Sequence, residues 1–153
     1  MAPMDAQSPD LFNDLTSLKK KNSGLKAVVA LGGWTFNDPG PTQDVYSNMV
    51  STEANRATFI VNLLSFMREY AFDGVDFDWV SGSGLSVVAI LLTFLQEYPG
   101  APDRGGKEDD GINFTQFLAE LQEAIAKEPI KYVVSFTVPT SYWYLRWFDL
   151  KAV

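Results

Sequence analysis

Hydrophobic side chains recur at the spacing of an α-helix in three segments of the chain. The first segment begins at Ser8, which can cap it, and ends before Asn22. One face of this segment is formed by Leu11, Leu15 and Leu18. The second segment covers residues 51–70 and the third residues 112–127. Their hydrophobic faces are formed by Phe59, Leu63, Met67 and Tyr70, and by Phe114, Phe117, Leu118, Leu121 and Ile125, respectively.

Short apolar runs between these segments predict three strands. They cover residues 25–31, followed by the pair Gly32 and Gly33, residues 72–79 and residues 131–139. Residues 35–43 and 97–111 are rich in glycine, proline and polar side chains, which is typical of loops. Helices and strands therefore alternate along the chain, and this order predicts an α/β fold with a parallel sheet and helices packed outside it.

Composition removes several classes of function. The 153 residues carry a net charge of −7 with no cluster of basic residues, so we expect no nucleic-acid partner. Histidine and cysteine are absent, which excludes histidine-based acid/base catalysis, thiol nucleophiles and most zinc sites. No apolar run is long enough to cross a bilayer, and residues 1–12 do not resemble a signal peptide.

The middle strand carries an unusual amount of charge, with Asp73, Asp76 and Asp78 in six residues. Side chains two apart on a strand share one side, so Asp76 and Asp78 lie together, opposite Val75, Phe77 and Trp79. Carboxylates on a buried strand are costly unless they are paired or hydrogen-bonded, and such pairs often perform acid/base chemistry. The alternative is a polar strand end whose aspartates are solvated.

Several motifs resemble glycoside hydrolase family 18, the chitinases. They are "DGVDFDW" on the charged strand, "ALGGW" upstream and "EYPGAPDRGG" downstream. "GGWTFNDPGPTQ" and "VPTSYWYLRWFDLKA" are similar in particular to fungal class V chitinases related to killer-toxin subunits. The resemblance covers nearly the whole chain except residues 80–96.

The resemblance implies that the chain is part of a (β/α)8 barrel. A complete barrel takes about 250 residues, so residues 1–153 correspond to roughly the third to fifth βα units of one catalytic domain. It also implies extracellular localisation, chitin or N-acetylglucosamine oligomers as partners, and neither a cofactor nor a metal. The family reaction is a retaining hydrolysis in which the substrate's own N-acetyl oxygen attacks the anomeric carbon.

The family motif, D-G-x-D-x-D-x-E, gives its acidic positions roles. The final glutamate is the general acid, Asp78 orients the acetamido group, and Asp76 tunes its charge. Asp73 is included with Gly33, Trp34 and Trp79 among the substrate-binding residues. Both tryptophans stand where a strand reaches the mouth of the barrel and could stack on sugar rings, although core packing is the alternative.

Two positions depart from the family pattern. The upstream pattern is S-x-G-G, and Ala30 stands in place of the serine. Position 80, where the glutamate belongs, is Val80. Removing residues 80–96 joins Trp79 to Glu97 and restores the motif as "DGVDFDWEYPGAPDRGG", so Glu97 is the expected general acid.

The ends of this insert suggest a translated intron. Val80-Ser81 can be encoded by GTAAGT and Gln96 by CAG, which are common intron boundaries, and the 17 codons span 51 nucleotides. A loop inserted into the protein is the alternative.

Three functions remain open from the sequence. The first is a chitinase impaired by the insert and the partial barrel, so that this chain alone is inactive. The second is a non-catalytic, lectin-like chitin-binding module, and the third is a non-functional gene-model fragment. The displaced but intact Glu97 favours the first, because a lectin typically substitutes the glutamate in place.

Overall fold

The computed structural model describes residues 8–33, 35–79, 105–138 and 151. The elements in chain order are helix α1 (Ser8–Ser17) with a 3-10 turn (Leu18–Lys20), strand β1 (Val28–Gly32), helices α2 (Val45–Val50) and α3 (Glu53–Glu69), strand β2 (Gly74–Asp78), helix α4 (Asp110–Ile125) and strand β3 (Val133–Phe136). The predicted helices and strands are all present in this order. Helix α2 was not predicted, because six residues are too few to show a helical period.

The described strands form one parallel sheet in the order β1-β2-β3. Strand β2 is therefore central, with Gly74 to Asp78 paired to Val28 to Gly32 on one side. On its other side, Gly74 to Phe77 pair with Val133 to Phe136. This arrangement confirms the predicted α/β class.

The hydrophobic core lies between the sheet and helices α3 and α4. Val75 and Phe77 of β2 are fully buried, and the Phe77 ring meets Phe117 edge-on, with ring centroids 5.3 Å apart. Leu63 of α3 and Leu121 of α4 are also fully buried. The core faces predicted for the second and third helices are therefore confirmed.

The face predicted for the first helix points to solvent instead of the core. Leu11, Leu15 and Leu18 are 59%, 46% and 42% exposed. Helix α1 packs through Phe12, whose ring contacts Phe66, Tyr70 and Phe72 edge-on at centroid distances of 5.3–5.7 Å. An aromatic ring buries more surface than a leucine, so one phenylalanine decides the orientation of this short helix.

Helix α3 has defined caps at both ends. The Thr52 hydroxyl accepts a hydrogen bond from the backbone N–H of Asn55 at 3.2 Å. At the other end Ala71 has a φ of +56°, and the Phe72 N–H donates to the carbonyl of Met67 at 2.9 Å. These bonds account for the predicted boundaries of this helix.

The insert at residues 80–96 and the aromatic tail at residues 140–150 lie outside the described residues. Within the described ranges, no helix is long and apolar enough to cross a membrane.

Candidate functional site

A pair of glycines at the carboxyl end of β1 lies against the backbone at the carboxyl end of β2. Gly32 and Gly33 have φ angles of +99° and +111°, a region of backbone conformation that glycine enters without strain. The Gly33 N–H donates to the backbone carbonyl of Asp78 at 2.9 Å. A Cβ on Gly32 would lie 2.3 Å from that same carbonyl oxygen and 2.6 Å from the Tyr46 hydroxyl. Only glycine fits at position 32.

Asp76 and Asp78 lie on the side of β2 that faces away from the core. Both are partly buried, whereas Val75, Phe77 and Trp79 are buried on the core side. The predicted alternation is confirmed, so two carboxylates stand in one row at the carboxyl end of the central strand. In an α/β sheet this end is where ligands bind.

Asp76 has a hydrogen-bond donor on the neighbouring strand. The Ser135 hydroxyl of β3 donates to Asp76 Oδ1 at 2.5 Å. The register pairs these two residues directly, with Ala30 in the equivalent position on β1. The sequence did not reveal Ser135, because the register between two strands cannot be derived from the hydrophobic pattern of either.

Asp78 offers a free acceptor atom. Its Oδ1 is buried and has no hydrogen-bond partner in the described part of the chain. A buried carboxylate oxygen without a donor is costly, so this atom suits a ligand that supplies an N–H or O–H.

Tyr46 of α2 supports this end of the sheet and was missed together with its helix. Its hydroxyl donates to the carbonyl of Leu31 at 2.5 Å. Burial raises the pKa of the Tyr46 hydroxyl well above its usual value, and the charges of Asp78 and Asp76 raise it further. The phenol therefore stays protonated and keeps its bond to β1.

Trp79 follows Asp78 but turns into the core. Its ring stacks on Tyr46, with centroids 5.0 Å apart and 19° between planes, and meets Phe114 edge-on at 5.6 Å. Only 6% of Trp79 is exposed. Of the two interpretations of this residue, the packing supports the core one, so Trp79 does not enter the sugar site proposed below.

Asp73 lies at the opposite end of β2. It precedes the strand by one residue and is separated from Asp78 by five residues, or about 16 Å of extended chain. It accepts from the Ala27 N–H at 2.8 Å and forms ion pairs with Lys19 at 3.0 Å and Lys26 at 3.6 Å. The structure does not bring Asp73 together with Asp76 and Asp78.

The remaining predicted site residues are not all within the described part. Glu97 and Trp34 lie outside it. The structure thus brings together Gly33, Asp76 and Asp78 at one end of the sheet. A hydroxyl fixes one carboxylate of this group, and the other carboxylate has a buried oxygen without a donor in the described part of the chain.

The family model that describes glycosyl hydrolases family 18 matches residues 1–153. The chain is 34% identical over 149 residues to the killer toxin subunits alpha/beta of Kluyveromyces lactis, a match that covers 97% of this chain and 11% of that protein. It is 42% identical over 123 residues to chitinase B of Serratia marcescens, covering 80% of this chain and 19% of that protein. The chain thus spans only about a tenth to a fifth of the length of these relatives.

Among solved structures, the fold is similar to the group IV chitinase of Ostrinia furnacalis in complex with allosamidin. The TM-score is 0.65 at 32% sequence identity, and the match covers 87% of this chain and 31% of that chain. The parallel sheet and its helices therefore fit part of a barrel of this kind.

Proposed function

Because the chain belongs to glycosyl hydrolases family 18, we propose that its site is that of a chitinase-type glycosidase acting on β-1,4-linked N-acetylglucosamine polymers. The observation that supports this is the row formed by Asp76 and Asp78 at the carboxyl end of the central strand, opposite the core. Active sites of (β/α)8 barrels lie at the carboxyl ends of the strands, which supports this proposal.

In this proposal each residue at the site has a separate task. Asp78, with its unpartnered Oδ1, accepts the N–H of the substrate's acetamido group and turns the N-acetyl oxygen towards the anomeric carbon. That oxygen attacks, so the product retains its anomeric configuration without a carboxylate nucleophile. Asp76 stabilises the charge that develops on the acetamido group, and Gly33 and Trp34 contact the sugar.

In this proposal the general acid is Glu97, which residues 80–96 separate from Trp79 in the sequence. Because side chains alternate along a strand, the residue two positions after Asp78 would lie on the same side as Asp76 and Asp78. In this chain that position is Val80, which has no proton to donate. Loss of general acid catalysis costs about 10²- to 10⁴-fold in rate, so the chain as it stands should hydrolyse chitin oligomers negligibly.

The test is to remove residues 80–96 and graft the rest of the chain into a complete barrel of the family. We expect the repaired graft to release the fluorophore from a labelled chitotrioside, and the graft that keeps the insert to be inactive. Glu97→Gln in the repaired graft should lose nearly all turnover and keep substrate binding. Equal activity of both grafts would show that the insert is a tolerated loop and that Glu97 is not the acid.

We further propose that residues 80–96 are a translated intron, because the insert separates the motif between Trp79 and Glu97 without altering either part. Sequencing of mature transcripts tests this. Messages that lack the 51 nucleotides support it, and messages that uniformly retain them contradict it.

A non-catalytic chitin-binding function is the second candidate. It is favoured by Val80 at the position of the acid together with the free acceptor on Asp78. Sedimentation of the chain with insoluble chitin, reduced by Asp78→Ala and without release of soluble sugar, would support this candidate. For both candidates we propose an extracellular location, where chitin is accessible.

A further inference from the structure

We propose that Ser135 is the residue that positions Asp76 for the reaction described above. In this chain the hydroxyl group that holds the carboxylate comes from β3 and not from β1. The catalytic consequence rests on the proposed function. The hydrogen bond between Ser135 and Asp76 does not depend on that function and has its own test.

The register leaves two places from which a neighbouring strand can reach Asp76. Ala30 pairs with it on β1 and Ser135 pairs with it on β3. Side chains at paired positions of neighbouring strands point to the same side, and the strands lie about 4.8 Å apart, so each is within reach of the carboxylate. Ala30 has no polar atom to offer. The serine of the S-x-G-G pattern would stand at position 30, and β1 therefore offers no hydroxyl at the position paired with Asp76.

Ser135 makes the contact that Ala30 cannot. Its Oγ lies 2.5 Å from Asp76 Oδ1, and the hydroxyl donates because an ionised carboxylate can only accept. A bond to a charged acceptor is stronger than one between neutral groups, and it fixes the rotation of the carboxylate about its last side-chain bond. Asp76 therefore keeps one oxygen directed to β3.

The Tyr46 hydroxyl, at the same end of the sheet, is already committed to another acceptor. It donates to the carbonyl of Leu31 on β1. Asp78, the next residue in the row, is an acceptor and cannot replace the donor. In the described part of the chain, Ser135 is the side chain that donates to Asp76.

The contact can be tested in the 153-residue chain without any substrate. The chain is labelled with ¹³C at the aspartate carboxyl carbons, and the Asp76 signal is assigned from its loss in Asp76→Asn. Exchange from H₂O to D₂O should shift this signal, because the hydroxyl proton that it accepts is replaced by deuterium. The shift should become smaller in Ser135→Ala, because only water remains as a donor to this partly exposed carboxylate. It should keep the parent value in Ser135→Thr and return in Ser135→Ala combined with Ala30→Ser. Thr58→Ala removes an exposed hydroxyl that donates within α3 and should leave the shift unchanged.

The catalytic consequence is measured in the repaired barrel. Ser135→Ala should lower kcat about tenfold with little change in KM, because it removes a hydrogen bond to a charged group that positions and does not bind. Ser135→Thr and the double variant with Ala30→Ser should recover most of the loss. An isotope shift of unchanged size in Ser135→Ala overturns the contact, and an unchanged kcat overturns the positioning role. An inactive repaired parent that still shows the isotope shift overturns the proposed function and not the contact.

Discussion

Arg56 of α3 binds Glu120 of α4 through two parallel hydrogen bonds, from Nε and Nη2, each 2.8 Å long. Its Nη1 also donates to the carbonyl of Val50 at the end of α2, at 3.0 Å. Only 4% of Arg56 is exposed. One guanidinium therefore joins three helices on the core side of the sheet, and the Arg56 hydrogen bond lowers the pKa of Glu120.

Arg56→Lys should lower the free energy of unfolding by about 2 kcal/mol, since an ammonium cannot make the bidentate contact and reach Val50 together. Urea denaturation followed by circular dichroism measures this. Arg68→Lys is the matched control, because Arg68 is 48% exposed in its pair with Glu128 and should cost less than about 1 kcal/mol. Equal decreases in the free energy of unfolding for the two variants would mean that the buried bidentate contact of Arg56 contributes no more than an exposed ion pair.

Gly32→Ala should be more damaging than Gly33→Ala, although both residues have positive φ. At position 32 the new methyl group would overlap the backbone oxygen of Asp78 at 2.3 Å, whereas at position 33 the nearest atom, Asp78 Oδ2, is 4.0 Å away. We expect about 1–2 kcal/mol of backbone strain for Gly33→Ala and at least about 3 kcal/mol for Gly32→Ala. Thermal or urea unfolding of the two variants compares them, and a similar loss for both would contradict the close approach.

Asp73→Asn should remove part of the acid sensitivity of the fold. Burial raises the pKa of Asp73, but the Ala27 N–H and the ammonium groups of Lys19 and Lys26 outweigh it and hold the pKa below its usual value. The stabilisation is therefore present above the unfolded pKa, near 3.9, and is lost as the pH falls through the lower folded pKa.

The measurement is the free energy of unfolding between pH 7 and pH 2. The slope below about pH 4 should be smaller in Asp73→Asn than in the parent chain. Asp14→Asn, which changes an exposed aspartate of α1, should leave the slope unaltered. If the two variants give the same profile, the ion pairs at the amino end of β2 do not contribute.

Ala71→Gly should raise the free energy of unfolding by about 1 kcal/mol. Ala71 ends helix α3 with a φ of +56°, a conformation that costs an L-residue about 1–2 kcal/mol and costs glycine little. Ala126→Gly is the opposite case, because Ala126 follows α4 with an ordinary helical φ of −61°. It should lower stability by about 0.5–1 kcal/mol. Changes of the same sign in both variants would show that the helix-end geometry does not decide the outcome.

The sequence predicted those features that depend on a single element. The alternation of Asp76 and Asp78 with Val75 and Phe77 follows from the pleat of one strand, and the core face of α4 follows from one helical period. Helix α2 was missed because it is shorter than two turns, and Tyr46 was missed with it.

Features that depend on two elements were not predictable in this way. The spacing of Leu11, Leu15 and Leu18 predicts that they share a face, but the contact of Phe12 with Phe66 and Phe72 decides which face turns inward. The Ser135 contact similarly requires the register of β3 against β2. The packing of Trp79 requires Tyr46 beside it.

The alternation along β2 also has a consequence for how this gene can change. Losing one codon inside Gly74–Asp78 would exchange the two sides of the strand, so that carboxylates would enter the aromatic core and Val75 or Phe77 would leave it. An in-frame insertion after Trp79, of any length, leaves the two sides of Gly74–Asp78 as they are. Removing such an insertion would therefore return the chain to an unaltered strand whose aspartates still face away from the core.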